Sequence, residues 1–122
     1  MSCENPFGET IYSYSRAQAI EDGVLVDLSQ ADSIRQHWKY PFACTSAVWA
    51  IIEEALQQPG HDVSGICHDI STMAKLAIRS ASDPELVRFS VIITGRTHTL
   101  KLHIGPGDTA APVLTLMLPY ED

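Results

Sequence analysis

The sequence predicts an α+β domain: an antiparallel C-terminal β-meander with an added N-terminal strand, and helices packed on one face. Three observations carry that expectation. Three runs before Pro84 have helical spacing and end at Gly or Pro. From Val87 the period changes to strict alternation, and two further strand-like runs follow, separated by Gly-rich turns. No linker, repeat or low-complexity segment divides residues 1–122, so one domain is expected, with residues 1–13 as a polar arm carrying Pro6 and Gly8.

The elements follow in order. Ser15-Arg16-Ala17-Gln18 has capping-box spacing, so a short helix should run to Asp22 and stop at Gly23, which can take the left-handed position past the helix end. Val24 to Leu28 is β-branched and apolar, a strand expected to be buried on both faces. Ser29 to Trp38 suits a short helix or an irregular turn. After Pro41, Thr45 caps a helix whose stripe is Val48, Ile51, Ile52 and Ala55 and which Pro59-Gly60 ends. Ser64 opens the longest helix, lined by Ile66, Ile70, Met73, Ala74 and Ile78, and Ser80 to Pro84 closes it. Val87, Phe89, Val91 and Ile93 then share one strand face. Gly95-Arg96 turns into a second strand, Thr99 to Ile104, Gly105-Pro106-Gly107-Asp108 reverses the chain, and Pro112 to Leu118 forms the last strand. That strand would end the sheet, which leaves either a monomer or a homodimer paired along its edge.

Composition excludes several functions. Fifteen Asp and Glu against eight Lys and Arg give a net charge of −7, and the basic residues form no stripe, so direct nucleic-acid binding is not expected. The same charge suits docking on a basic surface of another protein. The chain has neither a secretory leader pattern nor an apolar run long enough to span a membrane, and its three cysteines lack CxxC spacing. A cytoplasmic protein is expected.

The reactive side chains form no convincing set. His61, Asp62, Cys67, His68 and Asp69 are close in sequence, but Cys67 and His68 point about 100° apart on a helix, so a capped, solvent-facing helix start is expected and no metal site. Cys44 and Cys67 lie in apolar helical patterns and read as small core residues, not nucleophiles for His98 or His103. No cofactor motif stands out: the glycines of 105–107 lead into a strand and lack a following Lys. His103 should share the face away from the core with Thr99 and Lys101. Exposed aromatic and charged residues remain as candidate protein contacts: Tyr12, Tyr14, Glu21, Asp22, Asp27, Trp38, Arg96, His103 and Asp108.

Residues 12–27, YSYSRAQAIEDGVLVD, together with 100–108, LKLHIGPGD, and the ending LPYED resemble the signature blocks of a family of small uncharacterised proteins. That family is carried on bacterial plasmids, phages and other mobile elements. Trp49 and Asp69 match a Trp and an Asp of its middle region, whereas His68 and Thr72 replace the aromatic residues that flank that Asp. The resemblance implies no enzyme activity. It does imply a setting in which small acidic proteins often neutralise host defences. The expectation is therefore a non-enzymatic inhibitor or accessory protein, of anti-CRISPR or anti-restriction type, that occludes a basic surface of a CRISPR effector or restriction complex in a bacterial host. The alternatives are a small enzyme built on His103 and Asp108, or a regulatory module of plasmid maintenance.

Overall fold

The structure, a computed structural model, describes residues 15–83 and 85–121. Among the described residues four helices and five strands follow in order: α1 (Arg16–Glu21), β1 (Leu25–Asp27), α2 (Asp32–His37), β2 (Phe42–Thr45), α3 (Ser46–Leu56), α4 (Val63–Ser80), β3 (Leu86–Ile93), β4 (Arg96–Pro106) and β5 (Pro112–Met117). The strands form one five-stranded mixed sheet in the order β1-β2-β5-β4-β3. The expected meander is present, with β3, β4 and β5 as antiparallel neighbours. The N-terminal addition is a β1–β2 antiparallel pair, joined to the meander through a parallel β2–β5 contact.

Local chemistry explains the ends of the elements. The capping box of α1 forms as its spacing requires, with Ser15 Oγ accepting from Gln18 N, and Gly23 takes a φ of 81°. Thr45 caps α3 through Val48 N. Asp62, not Ser64, caps α4 by accepting from Gly65 N at 2.8 Å. Ser64 instead ties α4 to α2, its carbonyl accepting from Ser33 Oγ at 2.7 Å.

Four expectations are corrected. Phe42 to Thr45 is a strand, β2, and Cys44 therefore lies on a strand and not on a helix. Three of its four residues are buried between β1 and β5, so the run shows no alternation, and Thr45 serves both as its last residue and as the cap of α3. β1 is an edge strand whose side chains are half-buried or exposed, because only one strand flanks it. The hairpin turn is Thr94-Gly95, and Arg96 already begins β4. The last strand is internal, between β2 and β4, so among the described strands the long edge strand is β3.

The core lies on one side of the sheet. Phe42, Cys44, Leu114, Leu116, Leu100 and Leu102 project from the central strands, and Val87, Phe89, Val91 and Ile93 from β3, against Ile34 of α2, Val48 and Ile52 of α3, and Ile66 and Ile70 of α4. The few buried polar groups on this side are satisfied: Trp38 Nε1 donates to the buried Ser71 Oγ at 2.9 Å. The opposite face of the sheet is left for other uses.

Candidate functional site

On that opposite face, the side chains that alternate with the core set are Thr45 of β2, Lys101 and His103 of β4, and Val113, Thr115 and Met117 of β5. They floor an open groove of about 760 Å³. Its rim is built by α1, by the turn after β4 at Pro106–Asp108, and by Glu121 in the C-terminal segment.

Two sets of hydrogen bonds assemble the rim. Asp108 Oδ1 accepts from Arg16 N at 2.6 Å and its Oδ2 from Ala17 N at 3.1 Å, so one carboxylate satisfies two free N–H groups of the first turn of α1. The Arg16 guanidinium reaches across to the sheet and donates to Thr115 Oγ1 and to Leu114 O, each at 2.7 Å. Burial holds the Arg16 pKa below its ordinary value, and the nearby charges of Asp27 and Asp108 oppose that shift. At the other end, Glu121 Oε1 accepts from Thr45 Oγ1 and from Leu118 N, both at 2.8 Å. Lys101 is buried, with its ammonium donating to Glu121 O. Each bond joins chain segments far apart in sequence or closes the C-terminal turn.

His103 lies exposed on β4, its ring close enough to Gly105 that a Cβ there would meet Cε1 at 2.7 Å. His103 and Asp108 line the same groove, but among the described residues no hydrogen bond joins them. The carboxylate of Asp108 is already engaged by α1.

The sequence-selected contacts separate into distinct places. Tyr12 and Tyr14 lie outside the described residues. Glu21 and Asp22 are exposed at the end of α1, Asp27 on β1 accepts from Ser29 N at 2.9 Å and acts on the charge of Arg16, and Asp108, which lines the groove, accepts from the first turn of α1. Trp38 is on the helical side, half-buried, tilted against Phe42 at 5.6 Å between ring centroids, with Lys75 Nζ over its ring. Arg96 is at the hairpin, beside Glu54 and Gln58 of α3.

Other reactive groups lie outside the groove. Cys44 and Cys67 are buried free thiols whose pKa values burial raises to about 12 and about 11, far from thiolate chemistry. Among the described residues no three or more His, Cys, Asp or Glu side chains converge as a metal site. His68 instead meets His37, Nδ1 to Nε2 at 3.0 Å, a pairing that two residues 31 apart in sequence do not announce.

Beside Thr45, Ser46, Leu86 and the β5 residues, the groove draws on three further stretches: Ser15 to Leu25, Lys101 to Asp108, and the C-terminal segment at Glu121. These are the stretches that carry the family resemblance. A family model matches residues 4–122. The chain belongs to DUF6573, a family of unknown function. No curated protein and no solved structure matches this DUF6573 chain. Sequence reasoning selected Asp108 and His103 but missed Arg16, Lys101, Thr115 and Glu121. The signal for Arg16 was its place inside the capping box; the burial of Lys101 had none, because it depends on a C-terminal segment that folds back over β4.

Proposed function

We propose that this DUF6573 member is a non-enzymatic binding domain that acts by stoichiometric contact with another protein. One observation carries the reading: both carboxylates of the groove spend their hydrogen bonds on the chain itself, Asp108 on the start of α1 and Glu121 on Thr45 and Leu118. General acid–base chemistry needs a carboxylate or imidazole within hydrogen-bond reach of its partner group. Here Asp108, Arg16, Lys101 and Glu121 hold the rim together, which supports a shaped surface over a reaction centre.

The class of partner follows from charge. Between described residues there is a single ion pair, Arg35 with Asp32, in a chain of net charge −7. Glu21 and Glu53 are exposed and in no ion pair between described residues. Uncompensated carboxylates favour and steer encounter with a basic surface. Nucleic-acid-handling defence complexes, such as CRISPR effectors and restriction enzymes, present such surfaces, and a mobile-element protein in a bacterial cytoplasm would meet them.

The test is to mix the intact protein at stoichiometric amounts with purified CRISPR effector and restriction complexes, at low and moderate salt. Native mass spectrometry should find a complex of fixed composition, and the effector should lose nucleic-acid retention, both effects weakening as salt rises. Neither a complex nor a loss of retention would sink the reading for those effectors.

A further inference from the structure

We propose that the free edge of β3 pairs with the same edge of a second copy of this chain, joining two five-stranded sheets into one continuous sheet. The two edges of the sheet differ. β1 is three residues long and ends on Asp27, a short, charged edge of the kind that discourages pairing. β3 is eight residues long, contains no proline and carries one charge, Arg88.

The ladder fixes which backbone groups are free. The Thr94-Gly95 turn closes on the pair Ile93 and Arg96, and Ile104 N donates to Glu85 O at 2.8 Å. In an antiparallel ladder, hydrogen-bonded pairs alternate, so Val87, Phe89, Val91 and Ile93 direct their N–H and C=O groups to β4. Leu86, Arg88, Ser90 and Ile92 direct theirs outward. The Leu86 N–H turns back to Asp83 O at 3.4 Å; among the described residues no backbone group of Arg88, Ser90 or Ile92 has a partner outside the ladder.

Apolar surface gathers at the same edge. Seven large apolar residues are exposed among those described, and four of them, Met73 and Leu76 of α4 with Leu86 and Ile92 of β3, flank this strand. Ile92 is 64% exposed. Between Met73 and Ile92 lies a largely apolar groove of about 530 Å³.

The strand is complementary to itself. In an antiparallel pairing about a two-fold axis at Phe89, Leu86 faces Ile92 of the other copy and Arg88 faces Ser90, at both ends. Every outward residue gains a partner, and no like charges are directly opposite. The dyad also brings the apolar side chains of both α4 helices toward one seam. Because each copy carries −7, added salt screens their mutual repulsion and should strengthen this association, the opposite of its effect on docking to a basic partner.

Sedimentation velocity of the full chain across a concentration series, at two salt levels, tests the pairing together with Ser90→Pro and Ile92→Lys. Proline at position 90 removes an outward N–H and the exposed 3.5 Å contact of Ser90 Oγ with Thr99 Oγ1 but no ladder bond, and Lys at position 92 replaces a side chain outside the core, so circular dichroism of both should match the parent. The expected result is a dimer that tightens with salt and falls to monomer in both variants. If Ser90→Pro fails to fold, Ile92→Lys decides alone. A parent that stays monomeric, including one that takes up an extended peptide at this edge, or a dimer that survives Ile92→Lys, would overturn the proposal.

Discussion

The carboxylate of Asp108 sits on the first turn of α1, accepting from Arg16 N at 2.6 Å across 92 residues of sequence. α1 has only six residues and could not persist alone in water. Its position depends on this contact and on the Arg16 guanidinium bonds to Thr115 and Leu114. The groove wall is therefore a tertiary product, held where two polar loops cross the same end of the sheet.

Asp108→Ala should destabilise the fold by about 1–2 kcal/mol, the range for a lost N-terminal cap with charge-assisted bonds. Hydrogen exchange should rise at the Arg16 and Ala17 amides first. Asp108→Asn, which keeps one acceptor oxygen, should recover part of the loss. Equal exchange at these amides in the parent and Asp108→Ala would contradict the role given to this residue.

Thr94 holds a φ of 50°, a conformation that β-branched residues adopt at a cost of about 1 kcal/mol. Together with Gly95 at 79° it makes the two-residue turn for which Asn-Gly is the favoured pair. Thr94→Asn should raise stability by about 0.5–1 kcal/mol in urea unfolding. Gly95→Ala should lower it by a similar amount.

Cys44 and Cys67 remain neutral thiols at any pH near 8, since burial raises them to about 12 and about 11. Iodoacetamide at pH 8 should leave both unmodified in the native protein and label both in guanidinium, with peptide mass spectrometry separating them from Cys3. Rapid native labelling of either would mean that β2 and α4 do not pack as described.

His37 has a pKa lowered by burial, with smaller contributions from Lys75 and His68. The unfolded chain then binds a proton more readily than the folded one, so this contribution to stability is present above about pH 6.5, the ordinary value, and is lost as pH falls through the folded one. Urea unfolding at pH 7.5 and pH 5 should show a smaller acid-side loss for His37→Gln than for the parent. Identical losses would remove His37 from the account.

The helices and the meander were legible because each rests on local signals: the capping box at Ser15, the Pro59-Gly60 stop, and the alternation of Val87 to Ile93 against Arg88 and Ser90. β2 was not, since a four-residue strand buried between two others has no period to read. Its parallel pairing with β5 is also set by tertiary packing. Of the groove, the sequence offered Asp108 and His103. It hid Lys101, which alternation placed on a solvated face and which Glu121 covers, and it hid the His37–His68 contact across two helices. Long-range side-chain contacts leave no trace in the spacing of either partner.

The binding account is tested most directly by titrating the intact chain into purified CRISPR effector and restriction complexes by calorimetry, at low and moderate salt. Saturation at a fixed stoichiometry is expected, weakened by salt and accompanied by release of the bound nucleic acid. No saturable heat with any of them, together with turnover of a small substrate that His103→Gln abolishes, would contradict it.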